Sequence, residues 1–326
     1  MTTDVGFLHH VGHVVSDMPD GLDLYRRLGF VLPAPSYPAL AAEEGAEPTA
    51  FGASNTHAEL RRNFLELAAP VRDGSRIPED AQLVPLRAPA EVLPVLMERI
   101  AETSANLAAC VDRFEGLHIL MLESPAIDSA ADRLTRAGVA HGGVNTVQRP
   151  VETDGGVKLE EVRYLEISDD GGPQPGTVAE GRVGVAATRQ HLLPLDEHPN
   201  GAIDLCELVL CAGEESFDAV ERRYESYLGR SAAPVAPGHT RFELDAAAIT
   251  LVTPEVLAEL LPGEAPPALP AFVAYAVSVR DLGQTRDYLV AAGVPAAATA
   301  AGNLFVSAKA ALGAAIIFRQ GWAAGW

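Results

Sequence analysis

Residues 8–30 read LHHVGHVVSDMPDGLDLYRRLGF, and the reading of this stretch decides the fold. Leu8–Val15 is dominated by apolar and β-branched residues, which predicts a strand. Pro19–Leu28 predicts a helix with Leu22, Leu24, Tyr25 and Leu28 on its apolar face. Asp17 suits the N-cap and Gly29 the stop. Three strands are expected next, at Phe30–Leu32, Thr49–Leu60 and Asn63–Ala68 (NFLELA). The unit is thus a strand, a helix closed by glycine, and three strands.

The same order recurs three times. Leu117–Leu122 is followed by a helix over Ala126–Ala137, Gly138, and a last strand at Val162–Ile167. Ile203–Cys211 is followed by a helix over Glu215–Leu228, Gly229, and a last strand at Ala248–Val252. Phe272–Val279 is followed by a helix over Leu282–Ala292, Gly293, and a last strand at Ala315–Arg319. Recurrence at this scale predicts a repeat architecture. Val71–Pro89 reads as loop and Ala90–Val111 as a helix joining the first two units. Asp169–Asn200, rich in Gly, Pro and Asp, reads as the linker between halves, and Pro262–Pro270 as a stiffer connector. Two domains are expected, 1–185 and 200–326, as suits a chain of 326 residues.

Charge narrows the partners. Lys and Arg number 24 against 44 Asp and Glu, a net of −20, so nucleic acid and anionic membrane are disfavoured. No apolar run spans a bilayer and no signal segment opens the chain, so a cytoplasmic location is expected. Cys110, Cys206 and Cys211 lack zinc-site or disulfide spacing and read as reduced, buried thiols. A homodimer is possible, although self-contained pairs of units make it optional.

The chemistry is expected in the first two units. His10 and His118 lie on their first strands, and Glu66 (FLELA) and Glu166 (YLEI) on their last. Side chains alternate along a strand, so Leu65/Leu67 and Leu165/Ile167 point away from those carboxylates into the core. A carboxylate between two large apolar neighbours fits a cavity holding a cation. Two imidazoles and two carboxylates suit one divalent ion such as Zn, Ni, Co, Mn or Fe(II), with open positions for two adjacent substrate oxygens.

Two details qualify this set. His9 competes with His10, and the seven-residue step to Asp17 favours His10. His118 to Gly138 is 20 residues where His10 to Gly29 is 19, which reads as one extra residue in the second unit. His13 falls on the opposite face and reads as a core residue. Arg62 and Tyr164 share parity with the glutamates and, with His57 and His198, are candidates for contacting a small-molecule substrate. His198 and His191 sit in the turn-rich stretch HLLPLDEHPNGA. Units three and four place Leu205–Glu207, Ile249, Leu251, Ala274 and Ile316 at the corresponding points, so no second metal site is expected.

HHVGHVVSDMPDGLDLYRRLGF resembles the opening of a vicinal oxygen chelate module, and FGASNTHAEL and NFLELAAP resemble later strands of its glyoxalase-like branch. The resemblance implies an α+β fold of four βαβββ modules, paired into two open β-barrels around cavities. The His10, Glu66, His118 and Glu166 set is similar to that of bacterial glyoxalase I, where the metal polarises a bound hemithioacetal and a ligand carboxylate moves the proton. The expectation is a divalent-metal isomerase or lyase with Glu66 or Glu166 as base. Alternatives are a non-haem Fe(II) dioxygenase using His10, His118 and Glu166 with Glu66, and a protein that sequesters a metabolite or antibiotic.

Overall fold

The computed structural model describes residues 4–40, 47–86, 91–153, 156–168, 177–189 and 197–321. Its first sheet begins with β1 (Phe7–Val14), β2 (Ser36–Leu40), β3 (Thr49–Ala50), β4 (Ala53–Glu59), β5 (Phe64–Pro70) and β6 (Gln82–Pro85). It continues with β7 (Gly116–Ser124), β8 (Ala140–His141), β9 (Asn145–Thr153), β10 (Gly156–Ser168) and β11 (Arg182–Ala187). The second sheet holds β12 (Ala202–Cys211), β13 (Ala233–Ala236), β14 (His239–Glu243) and β15 (Ala248–Val252). It also holds β16 (Ala271–Val279), β17 (Ala297–Ala298), β18 (Leu304–Val306) and β19 (Ala315–Gln320). The helices are α1 (Met18–Arg27), α2 (Leu93–Arg113), α3 (Ile127–Arg136), α4 (Phe217–Leu228), α5 (Pro254–Leu260) and α6 (Leu282–Ala291).

The opening stretch folds as its residues dictate. Asp17 accepts a hydrogen bond from the Asp20 amide, and Gly29 takes φ +84°, a backbone that only glycine adopts cheaply. Leu22, Leu24 and Tyr25 are buried, each leucine contributing roughly 2 kcal/mol of apolar burial.

Both sheets are mixed and open. The first runs β3-β2-β4-β5-β1-β7-β11-β10-β8, with β6 on β2 and β9 on β10, and the second β13-β14-β15-β12-β16-β19-β18-β17. In the first, β5 pairs parallel with β1, and β11 pairs parallel with β7 in the same way. That symmetry corrects the sequence reading of the second unit. Val162–Ile167 lies in β10, the counterpart of β4, and the counterpart of β5 is Arg182–Ala187 (RVGVAA). The segment expected as linker therefore contains a strand buried over Val183–Val185, whose short apolar run is masked by flanking Gly and Pro.

One contiguous apolar core joins the two sheets, with Val11, Tyr25 and Leu120 from the first half and Leu208, Tyr275 and Phe318 from the second. Polar clips cross the same seam. Tyr275 Oη donates to Tyr25 Oη at 3.1 Å, and the His13 imidazole bridges Tyr25 Oη and the Leu312 carbonyl. Asn63 donates to the Leu205 carbonyl and accepts from the Leu205 amide, both at 2.8 Å. His13 is thus a core residue, as its parity implies. Among the described residues no helix is long and apolar enough to cross a membrane.

Between the two halves of the first sheet in the chain, β6 pairs with β2 and α2 packs against β4 and β5. Gly52, at φ +78°, gives α2 room: a Cβ there would stand 2.3 Å from Ile100 Cγ2.

Candidate functional site

The central pair β1 and β7 sets the geometry. Val11 pairs with Leu120, His10 with Met121 and Gly12 with Ile119. The register slips once on each strand: His9 is the extra residue between Leu8 and His10, and His118 the extra residue between Leu117 and Ile119. These are two β-bulges, each two residues from the Val11–Leu120 pair and related by the pseudo-twofold of the sheet. His118 is therefore the counterpart of His9, and the counterpart of His10 is Ile119.

The neighbouring strands follow suit. Glu66 lies beside Gly12 and opposite His57, whereas Gly184 lies beside Met121 and opposite Glu166. Gly184 thus occupies the place of Glu66, and Glu166 the place of His57. No side chain fits at Gly184, where a Cβ would meet the Leu165 carbonyl oxygen at 2.6 Å and Met121 Sδ at 2.7 Å.

A cavity of about 660 Å³ opens on this face. One wall carries His9, His10, Asn55, His57 and Glu66; the other carries Glu166, Arg182 and Tyr164. Ile119 and Met121 line it between them, and Val84, Leu86, Ile100, Thr103 and Leu107 come from the segment folded over it. Glu66 sits between two imidazoles, with Oε2 3.5 Å from His10 Nε2 and Oε1 3.8 Å from His57 Nε2. Asn55 Nδ2 donates to Oε1 at 3.2 Å. Burial alone would push the Glu66 carboxyl up, but His10 and His57 together hold it well below the usual carboxylate range. Burial lowers His10, against the upward pull of Glu66. His10 is fully engaged: Nδ1 lies 2.8 Å from His9 Nδ1, and its ring stacks on Phe64 at 4.3 Å between centroids. Across the cavity, Arg182 is ion-paired with Glu166.

The structure brings His10, His57, Glu66, Tyr164 and Glu166 to one cavity. His118 lies outside it. Its Nε2 meets the Phe114 carbonyl at 2.7 Å, its ring packs on Phe114, and burial lowers its pKa to about 4. Arg62 holds Asp204 at 2.9 Å and lines a separate cavity of about 210 Å³. His198, just before β12, anchors to the first half, accepting from the Val31 amide at 3.0 Å and reaching the Glu59 carbonyl at 2.8 Å. His191 falls outside the described residues. Arg182 and Asn55 were not anticipated from the sequence. Arg182 lay in the expected linker, and Asn55 shares strand parity with His57, the signal that could have found it.

A divalent ion is what the family resemblance implies, and the donors must be judged against it. The four expected ligands do not converge, because His118 faces the core and Glu166 is committed to Arg182. His10, His57 and Glu66 supply two imidazoles and a carboxylate, a set that suits iron or zinc chemically. Their imidazoles address different oxygens of Glu66 at ion-pair distances, and among the described residues no three His, Cys, Asp or Glu side chains are placed to hold one ion. The residues present do not fit the expected four-donor site.

Residues 8–228, well over half of the chain, match the family model of the glyoxalase-like domain. The chain belongs to that family, within the vicinal oxygen chelate superfamily. Solved structures resemble it along nearly its whole length. A mutant of 4-hydroxymandelate synthase from Streptomyces coelicolor is 14% identical with a TM-score of 0.56, covering 99% of this chain and 95% of that one. A hypothetical protein from Staphylococcus aureus is 10% identical with a TM-score of 0.53, covering 96% and 98%. A Mn(II)-bound glyoxalase from Novosphingobium aromaticivorans is 11% identical with a TM-score of 0.51, covering 97% and 82%. At these identities the likeness is one of fold. No curated protein matches the chain in sequence.

Proposed function

We propose that this glyoxalase-like protein is an enzyme that moves a proton on a small organic substrate with adjacent oxygens, in the manner of an isomerase or lyase. The observation that carries the reading is the placement of His57. Its ring lines the cavity, its Nε2 faces the Glu66 carboxylate at 3.8 Å, and its Nδ1 takes no hydrogen bond among the described residues. Glu66, held well below the usual carboxylate range, is a poor proton acceptor but a good orienting group for an imidazole. The base therefore shifts from Glu66 or Glu166 to His57. Glu66 orients the ring, and His10 and Asn55 hold Glu66 in turn. Tyr164 and Arg182–Glu166 bind from the opposite wall. No step is routed through a metal, because the donors do not fit one. The dioxygenase alternative needs His118 in the cavity and draws no support from its position.

Deuterium exchange tests this. 2-Hydroxyacetophenone, neutral and carrying vicinal oxygens, is incubated with the protein in D₂O and its methylene signal followed by proton NMR. Exchange above buffer, lowered about 10²-fold or more in His57→Gln and similarly in Glu66→Gln, is the expected result. No enzyme-dependent exchange, or exchange unchanged in both variants, overturns the reading.

A second reading is favoured by the mostly apolar walls and a volume inside the range of drug-sized sites: a protein that sequesters its ligand without turning it over. Saturable binding of the ketone without exchange would select it.

A further inference from the structure

The charge arrangement of the main cavity limits what can enter it. Among the described residues that line it, Glu66 and Glu166 are the carboxylates and Arg182 is the one Lys or Arg. That guanidinium is already ion-paired with Glu166. A carboxylate or phosphate entering here would have to draw Arg182 away and leave Glu166 facing Glu66 without its counter-charge. Removing one partner of a part-buried ion pair is the costly way to break it. A hydroxyl or amine needs no such rearrangement, since it can donate to Glu166 or Glu66 while the pair stays closed. Much of the remaining lining is apolar, with Leu107, Ile119, Met121, Val162 and Val183 facing the void beside neutral polar groups such as Asn55, Thr103 and Tyr164. The net charge of −20 acts in the same direction by lowering the local concentration of anions.

We propose that the Arg182–Glu166 pair acts as a charge filter, and that the ligand of this cavity is a neutral or singly cationic molecule with an apolar body and a hydroxyl, carbonyl or amine head, not an organic anion. The inference rests on the same cavity being the ligand site, but not on proton transfer taking place there. Specificity is built here by a penalty against the wrong charge as much as by attraction to the right one. The filter has a predictable inversion. With Glu166 neutralised, Arg182 is freed to meet an anion; with Arg182 removed, Glu166 is freed to meet a cation.

Calorimetric titration with three probes of one skeleton tests it: 2-naphthylmethanol, 2-naphthylmethylammonium and 2-naphthoate. In the wild-type protein the alcohol and the ammonium should bind at least about tenfold more tightly than the carboxylate. Glu166→Gln should narrow or invert that ratio by tightening 2-naphthoate, and Arg182→Met should widen it by tightening the ammonium. The two variants move the ratio in opposite directions, so a fold defect common to both cannot imitate the result. A wild-type preference for 2-naphthoate, ratios unmoved in both variants, or no saturable binding of any probe overturns the proposal. Deuterium exchange is a separate readout: charge discrimination without exchange removes the role of His57 alone, and exchange without discrimination removes the filter alone.

Discussion

Ile119 stands in β7 where His10 stands in β1, each one residue along its strand from the point where Val11 meets Leu120 and one residue from a bulge. One face of a pseudo-symmetric sheet therefore carries an imidazole on one side of the axis and a butyl group on the other. This asymmetry, more than any loop, separates the chain from a paired-donor site.

Restoring the missing donor should restore metal affinity. Ile119→His would add an imidazole opposite His10 and Glu66, giving three donors from facing strands. Cobalt(II) titration followed by visible absorbance should show binding at least about tenfold tighter in Ile119→His than in the wild-type protein. Equal affinity would mean that the equivalence of Ile119 with His10 is misassigned.

Acid lability should trace in part to His118. Burial lowers its imidazole from 6.5 to about 4, so between those values the unfolded chain binds a proton that the folded chain refuses. Stability then rises with pH through this window, is whole above pH 6.5, and is reduced by about 3 kcal/mol near pH 4. His10 and His13, also lowered by burial, act with the same sign. His118→Gln, which can still donate to the Phe114 carbonyl, should flatten the fall in urea midpoint between pH 6.5 and 4.5. An unchanged slope would show that His118 protonates freely in the folded state.

The seam between the sheets depends on Asn63. Asn63→Ala strips both the amide and the carbonyl of Leu205 of their partners, and each sits in a buried strand. Leaving two such groups unsatisfied costs about 2–4 kcal/mol. Chemical denaturation should show the loss as a lower midpoint with little change in slope.

Gly52 and Ile100 should be energetically coupled. Gly52→Ala forces a Cβ against Ile100 Cγ2 and onto a positive φ, at a cost of about 1–3 kcal/mol. In a double-mutant cycle, Ile100→Ala should recover the steric part and leave the backbone part. Strict additivity would mean that α2 rides free of β4.

Much of this was legible in the sequence, and the failures have two physical roots. The opening strand, the helix stops at Gly29, Gly138, Gly229 and Gly293, and the placing of His10 and Glu66 on one cavity all follow from local pattern. A β-bulge breaks such reasoning, because one unpaired residue reverses the face of everything before it on the strand. The signal was present in a spacing. His9 to Gly29 is 20 residues, as is His118 to Gly138, so His118 answers to His9 and no residue is extra. Glu166 was misplaced for a different reason. The strand that answers to Glu66 hides between Gly- and Pro-rich flanks, and strand pairing, a long-range property, is needed to recognise it. The charge filter was beyond reach for the same cause, since its guanidinium lies on that strand.

The single core shared by the two sheets has a practical meaning for anyone dissecting the protein. Tyr25, Phe30 and Val11 on one side and Tyr275 and Phe318 on the other belong to one buried cluster. Scissors applied near residue 200 would leave each fragment with a raw apolar flank and two tyrosine hydroxyls without each other. Neither piece would be a miniature of the whole; each would be half of an interior, inclined to seek its missing complement in other molecules.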